Sequence, residues 1–113
     1  MARPNFIELP TRDLAASQVF FEQVFGMKMT GFGPTYACTL TGDVDIGLQA
    51  DQAEATKAPL PVIDVKDLEA TLAAVTAAGA PITKPIFSFP GGRRFHFRDP
   101  GGNELAAMQA DPT

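Results

Sequence analysis

The chain has 113 residues, 45% of them apolar and 19% charged, and its formal net charge at pH 7 is −4. This composition excludes a disordered tail, a collagen-like fibre and a bilayer-embedded chain, since no segment approaches the ~20 apolar residues that span a membrane. The acidic balance is poorly suited to wrapping nucleic acid or lying on anionic lipid, so neither is expected as a partner. Residues 1–5 lack the apolar stretch of a secretory signal, which points to the cytoplasm. One cysteine, Cys38, cannot bridge within its own chain and agrees with a reducing compartment.

In chain order, residues 5–9 read as a strand, and Asp13 reads as the N-cap of a helix. Ser17, Phe20, Phe21, Val24 and Phe25 recur at three- and four-residue steps, predicting one apolar stripe that ends at Gly26. Residues 28–32, 35–40 and 44–49 read as strands, with Thr41-Gly42-Asp43 as a turn. Residues 50–59 have no apolar periodicity and read as a linker. A strand over residues 60–65 then leads to a second N-cap, Asp67, and to a slimmer helix built on Leu68, Leu72 and Val75. Gly79 and Pro81 end it. Residues 82–89, 93–97 and 104–109 complete the strands, separated by Pro90-Gly91-Gly92 and by Asp99-Pro100-Gly101-Gly102-Asn103.

The two halves repeat one another. Arg12-Asp13-Leu14 answers Lys66-Asp67-Leu68 at an offset of 67 − 13 = 54 residues, near half the length. The expectation is an α+β fold of two βαβββ modules, residues 1–49 and 60–113, forming a curled mixed sheet (a cup) with the helices outside.

A repeated βαβββ unit carrying Asp13-Leu14, Phe20-Phe21-Glu22-x-x-Phe25-Gly26 and Phe97-Arg98-Asp99-Pro100-Gly101-Gly102-Asn103 resembles the vicinal oxygen chelate superfamily. That superfamily includes glyoxalase I, extradiol dioxygenases and the fosfomycin- and bleomycin-resistance proteins. The resemblance implies a cup in which catalytic members hold a divalent metal with four His, Glu or Gln side chains. By register those positions fall here at Phe6, Leu60, Ala106 and either Ile46 or Gly47, and none of these residues is a metal ligand. The single histidine, His96, also falls short of a two-histidine iron site. No metal and no other cofactor is therefore expected, and no metal-dependent enzyme.

Strand alternation sends Ile7 and Leu9 towards the helices and Phe6 and Glu8 into the cup. It likewise puts Arg94 and His96 in the cup and Phe95 and Phe97 against the helices. The expected ligand-binding residues are Phe6, Glu8, Leu60, Val62, Arg94, His96, Glu104, Ala106 and Met108, a mostly apolar lining with a few polar groups. Against this, His96, Glu8 and Glu104 also read as ordinary strand polar residues, and alternation gives no reason for Glu8, Glu104 and His96 to converge. Cys38 reads as a small buried hydrophobe.

Two functions fit. One is a metal-free protein that binds or sequesters a small organic molecule. A cationic planar drug would suit Phe6, Phe32, Glu8 and Glu104. The other is a metal-independent lyase or isomerase, or a diverged glyoxalase-like enzyme, with Glu8, Glu104 or His96 as general base. Thin helical cover and open sheet edges further predict a homodimer in which modules pair between two chains.

Overall fold

In the computed structural model, which describes residues 2–112, both helices begin at an aspartate. Met1 and Thr113, the outer ends of the two expected modules, lie outside the described residues. Helix α1 (Leu14–Phe25) follows Asp13, whose carboxylate accepts from the Ala16 N–H at 3.0 Å. Helix α2 (Leu68–Ala77) follows Asp67, which accepts from the Ala70 N–H at the same distance. Each carboxylate satisfies one N–H that the first turn leaves without an intrahelical acceptor. Gly26 ends α1 in the left-handed region at φ 66°, a conformation that glycine adopts without steric cost.

The residues Phe6–Leu60 form one compact unit. Its strands are β1 (Arg3–Pro10), β2 (Thr30–Gly31), β3 (Tyr36–Cys38) and β4 (Asp45–Gln49), in the order β2-β3-β4-β1. β1 and β4 are parallel and the other pairs antiparallel. The core is Met29, Ala37 and Leu48, with Leu9, Leu14, Phe21 and Ile46 packed on it. β2 and β3 are shorter than predicted at both ends, and their facing ends stop at a turn through Gly33 (φ 78°) and Pro34, which has no N–H to donate. Asp45 holds the next turn, accepting from Thr39 Oγ1 at 2.7 Å and from the Thr41 N–H at 2.8 Å.

The second unit runs from Pro61 onward, together with residues up to Asn5. Its strands are β5 (Leu60–Asp64), β6 (Ile82–Phe89), β7 (Gly92–Arg98) and β8 (Glu104–Ala110), in the order β5-β8-β7-β6. Again the first and last strands, β5 and β8, are parallel and the hairpins antiparallel. Leu68, Phe95 and Ala107 form its core, with Leu72, Val75 and Phe97 against them. Gln109 Oε1 accepts from the Leu68 N–H at 2.8 Å and ties β8 to the start of α2. The fold is thus α+β, with strand–helix–three strands twice, as the repeat predicts.

Two expectations fail. Of the apolar stripe on α1, Phe21 reaches the core, whereas Phe20, Val24 and Phe25 are each more than half exposed. The stripe is wider than the short strands beneath it can cover, and the rings pack on one another instead, Phe20 edge-on to Phe21 at 5.3 Å. Ile7 stands beside Ile46 on the helix-facing side, as alternation predicts, but is left exposed because α1 packs chiefly over β3 and β4. No helix among the described residues is long and apolar enough to cross a membrane.

Candidate functional site

In the first unit, pairing fixes which side chains share the face opposite the core. Glu8 stands beside Gly47, Phe6 beside Asp45, and Cys38 beside Gly47 from the other side. Ile46 belongs to the core, so Gly47 is the β4 position on the face of Phe6. Glu8 is 2% exposed and accepts a hydrogen bond from Tyr36 Oη at 3.1 Å. A Cβ on Gly47 would lie 2.5 Å from Phe6 Cζ and would collide with the Tyr36 hydroxyl. The space into which a side chain at position 47 would grow is therefore filled by Phe6 and Tyr36. Leu60, at the start of β5, is fully buried. Cys38 is buried too, and that burial, with the charge of Asp45, pushes its thiol pKa up, as suits an inert small hydrophobe.

In the second unit, the corresponding face carries Val62 beside Ala106 and Asp64 beside Met108. Across β8, Ala106 stands opposite His96, Met108 opposite Arg94, and Glu104 opposite Arg98. Val62, His96 and Ala106 are buried, while Arg94, Glu104 and Met108 are half-buried. His96 Nδ1 lies 2.9 Å from Glu104 Oε2, which also accepts from Thr83 Oγ1 at 3.1 Å. Arg98 Nη2 stands 3.9 Å from the other carboxylate oxygen.

His96 and Glu104 thus meet, a pairing that alternation alone does not give, while Glu8 is bonded to Tyr36. Glu104 sits two residues along β8 from Ala106, the direct partner of His96, and diagonal neighbours on one face of an antiparallel pair come within reach of long side chains. Above them, the Phe87 ring lies 5.7 Å from the imidazole, and Lys84 Nζ and the Arg94 guanidinium sit over that ring at 5.7 and 5.3 Å.

Protonation follows from these neighbours. Burial is the largest influence on His96 and lowers its pKa. Arg94 and Lys84 push the same way, and the hydrogen bond and charge of Glu104 offset only part of this. The imidazole is therefore neutral at pH 7. For Glu104, burial raises the pKa, but the hydrogen bonds from His96 and Thr83 and the charge of Arg98 outweigh it, so the carboxyl is ionised. An ionised carboxylate only accepts, so Nδ1 carries the proton and donates it to Glu104, and Nε2 keeps a lone pair. Nε2 is buried and has no hydrogen-bond partner among the described residues.

As for a metal, the four register positions hold Phe6, Leu60, Gly47 and Ala106, which offer no donor. Among the described residues no group of three or more His, Cys, Asp or Glu could hold an ion.

A family model described as Glyoxalase/Bleomycin resistance protein/Dioxygenase superfamily matches residues 3–107. The chain belongs to this superfamily. Solved structures of similar fold include a superfamily member from Vibrio splendidus 12B01 (21% identity, TM-score 0.69, covering 98% of this chain and 100% of that one). A methylmalonyl-CoA epimerase from Mycobacterium tuberculosis is similar at 14% identity and TM-score 0.76, over 96% of this chain and 88% of that one. A Mn(II)-bound glyoxalase from Novosphingobium aromaticivorans matches at 20% identity and TM-score 0.72, over 96% of this chain but 40% of that one. At these identities the likeness concerns the fold alone. A search of curated proteins found no match.

Within this superfamily fold, sequence reasoning missed Tyr36, Thr83, Lys84 and Phe87. It also left Glu104 free for a cationic ligand, whereas the structure commits that carboxylate to His96 and Thr83. Phe32, the other proposed wall residue, is exposed beyond the end of β2.

Proposed function

We propose that this superfamily member binds a small organic molecule and does so without a divalent metal. The closure over Gly47 carries the reading. Phe6 and Gly47 occupy two positions where the resemblance puts metal ligands, and here an aromatic ring and the Tyr36 hydroxyl fill that space. A largely apolar face with a few convergent polar groups suits an organic ligand. Val62, Ala106 and Met108 supply the apolar part, and His96, Glu104 and Arg94 the polar part.

Elemental analysis after chelator-free purification should find no stoichiometric metal, and one equivalent of iron, zinc, nickel or manganese per chain would reject the reading. In a small-molecule melting screen, a ligand at 100 times its dissociation constant should stabilise the fold by ~2.7 kcal/mol, a shift of several degrees. A second reading, a metal-independent lyase or isomerase, is favoured by the Glu104–His96 pair. That pair combines a carboxylate-oriented imidazole with a lone pair able to take a proton. A pH–rate profile on a ligand found by the screen separates the two.

A further inference from the structure

The two helices of the repeat meet solvent in the same way but with different side chains. At the 54-residue offset, Leu14 and Phe21 of α1 answer Leu68 and Val75 of α2, and each pair packs on the core of its own module. The outward positions correspond as well. Val19, Phe20 and Val24 are exposed on α1, and Ala73, Ala74 and Ala78 are exposed at the matching places on α2. An outward position of this repeat needs no bulk, as the alanines show. The packing of the first module therefore gives no reason for the large side chains, and a contiguous apolar surface of this kind marks a contact with another molecule.

Ala16, Val19, Phe20, Gln23 and Val24 are all exposed, and steps of three and four residues bring them to one side of α1. The Phe25 ring, 6.2 Å from that of Phe20, extends the patch. No charged side chain lies on this stripe, so it has nothing to offer a charged partner. The one ionisable residue of α1 is Glu22, and the chain carries a net charge of −4. Helices that lie on a bilayer carry lysine and arginine on the polar face, which α1 lacks. The surface that suits an uncharged stripe is another uncharged stripe.

This one is its own complement. Ala16 and Val24 stand four residues to either side of Phe20. A two-fold axis at Phe20 would set two α1 helices antiparallel, bring the two Phe20 rings together and seat each Val24 over Ala16 of the second copy. A symmetric contact demands that reciprocity, and large side chains opposite small ones let facing helices interdigitate. The strand edges are a poorer route. β2 has two residues, and β6, paired with β7 alone, carries Lys84, an exposed Pro85 and two register shifts. Short length, lysine, proline and bulges all keep an edge from pairing with another chain.

We propose that two copies of this chain associate through α1, with Phe20 at the two-fold axis and Val24 against Ala16. This differs from the pairing of modules between chains that the sequence led us to expect, because each module keeps its strands to itself. Phe20 and Phe25, 53% and 60% exposed, leave on the order of 200 Å² open between them. A standard interface buries ~800 Å² per partner, so this dimer is a weak one that dissociates on dilution.

Sedimentation of the full chain over a range of concentrations tests the proposal. The parent should pass from one chain mass to two as its concentration rises. Phe20→Lys brings like charges to the axis and should weaken association about tenfold or more. Ala74→Lys, the matching change on α2, should leave it unaltered. Both positions are exposed, so the far-ultraviolet circular dichroism of both variants should match the parent. A second measurement needs no disruptive charge. Under mild oxidation Phe20→Cys should yield a disulfide-linked dimer and Ala74→Cys should not, the native Cys38 being buried.

A parent that is monomeric at every concentration overturns the proposal. So does a dimer that Phe20→Lys leaves intact and that Phe20→Cys fails to cross-link, since its contact then lies elsewhere. A monomer that instead sediments with neutral phosphatidylcholine vesicles makes α1 a lipid-binding surface, and the proposal falls.

Discussion

In the first module the buried acid is Glu8, held by the hydroxyl of Tyr36. In the second it is the half-buried Glu104, held by His96 and Thr83. Both lie on the sheet face opposite the helix, and both modules share the chain path, the parallel outer pair and the aspartate cap. The difference is in what the partner can do next. A phenol hydroxyl donates its one proton to the carboxylate and carries no second nitrogen-like acceptor on its far side. An imidazole donates from one nitrogen and accepts at the other. One backbone repeat therefore carries a closed polar pair in one half and an open one in the other.

Each half contains a glycine whose replacement tests this comparison. Gly92→Ala in the second module is expected to be the most damaging change, about 3 kcal/mol. Its Cβ would press on the Gln109 carbonyl and lie 3.2 Å from Ala110 Cα, atoms that cannot move without opening the β7–β8 ladder. Gly47→Ala in the first module meets a ring tip and a hydroxyl, which can swing aside, and should cost roughly 1–2 kcal/mol. Thermal melting would order the two. A Gly47→Ala protein that melts below Gly92→Ala would mean that the Phe6–Tyr36 closure is as rigid as backbone.

The caps should show the modules at their most alike. Asp13→Ala and Asp67→Ala are each expected to lose about 1 kcal/mol in urea titration, because both carboxylates accept the same N–H at 3.0 Å. Losses differing by more than the measurement error would show that the repeat is not energetically even.

The smallest expected effect is a slope in pH. His96 has a depressed pKa in the folded state, so the unfolded chain binds more protons there. Stability is complete above the ordinary value of 6.5 and falls as the pH drops through the folded value. Glu104, also depressed, adds a second loss of the same sign below the ordinary carboxylate range. Denaturation followed from pH 8 to 4 should show the first loss in the parent chain and lack it in His96→Phe. A stability that rises on acidification would contradict the neutral imidazole.

What could be read from the chain was local. Each cap spans three residues, and the repeat places both. The β7–β8 register follows from its short hairpin, and with it Arg98 opposite Glu104. Carrying that count two residues further would have revealed the His96–Glu104 diagonal. Phe87 was less accessible, because the β6–β7 pairing shifts register around Pro85. Lys84 to Phe87 spans three residues, while their partners His96 and Arg94 are two apart, so simple alternation loses its phase. The contact of Tyr36 with Glu8 joins residues 28 apart on β3 and β1, the two strands that flank β4, and no local pattern announces it. The outward phenylalanines of α1 escaped for another reason: periodicity reports how wide an apolar stripe is, not how much sheet there is to cover it.

The buried Cys38 makes the chain its own stopwatch. It is the one thiol present, it lies in a three-residue strand, and burial keeps it protonated. A thiol reagent can modify it only during moments when β3 opens. Where closing outpaces modification, the labelling rate divided by that of an exposed thiol equals the fraction of time spent open. The unmodified protein therefore reports the opening free energy of one of its shortest strands, with no probe added and no competing signal.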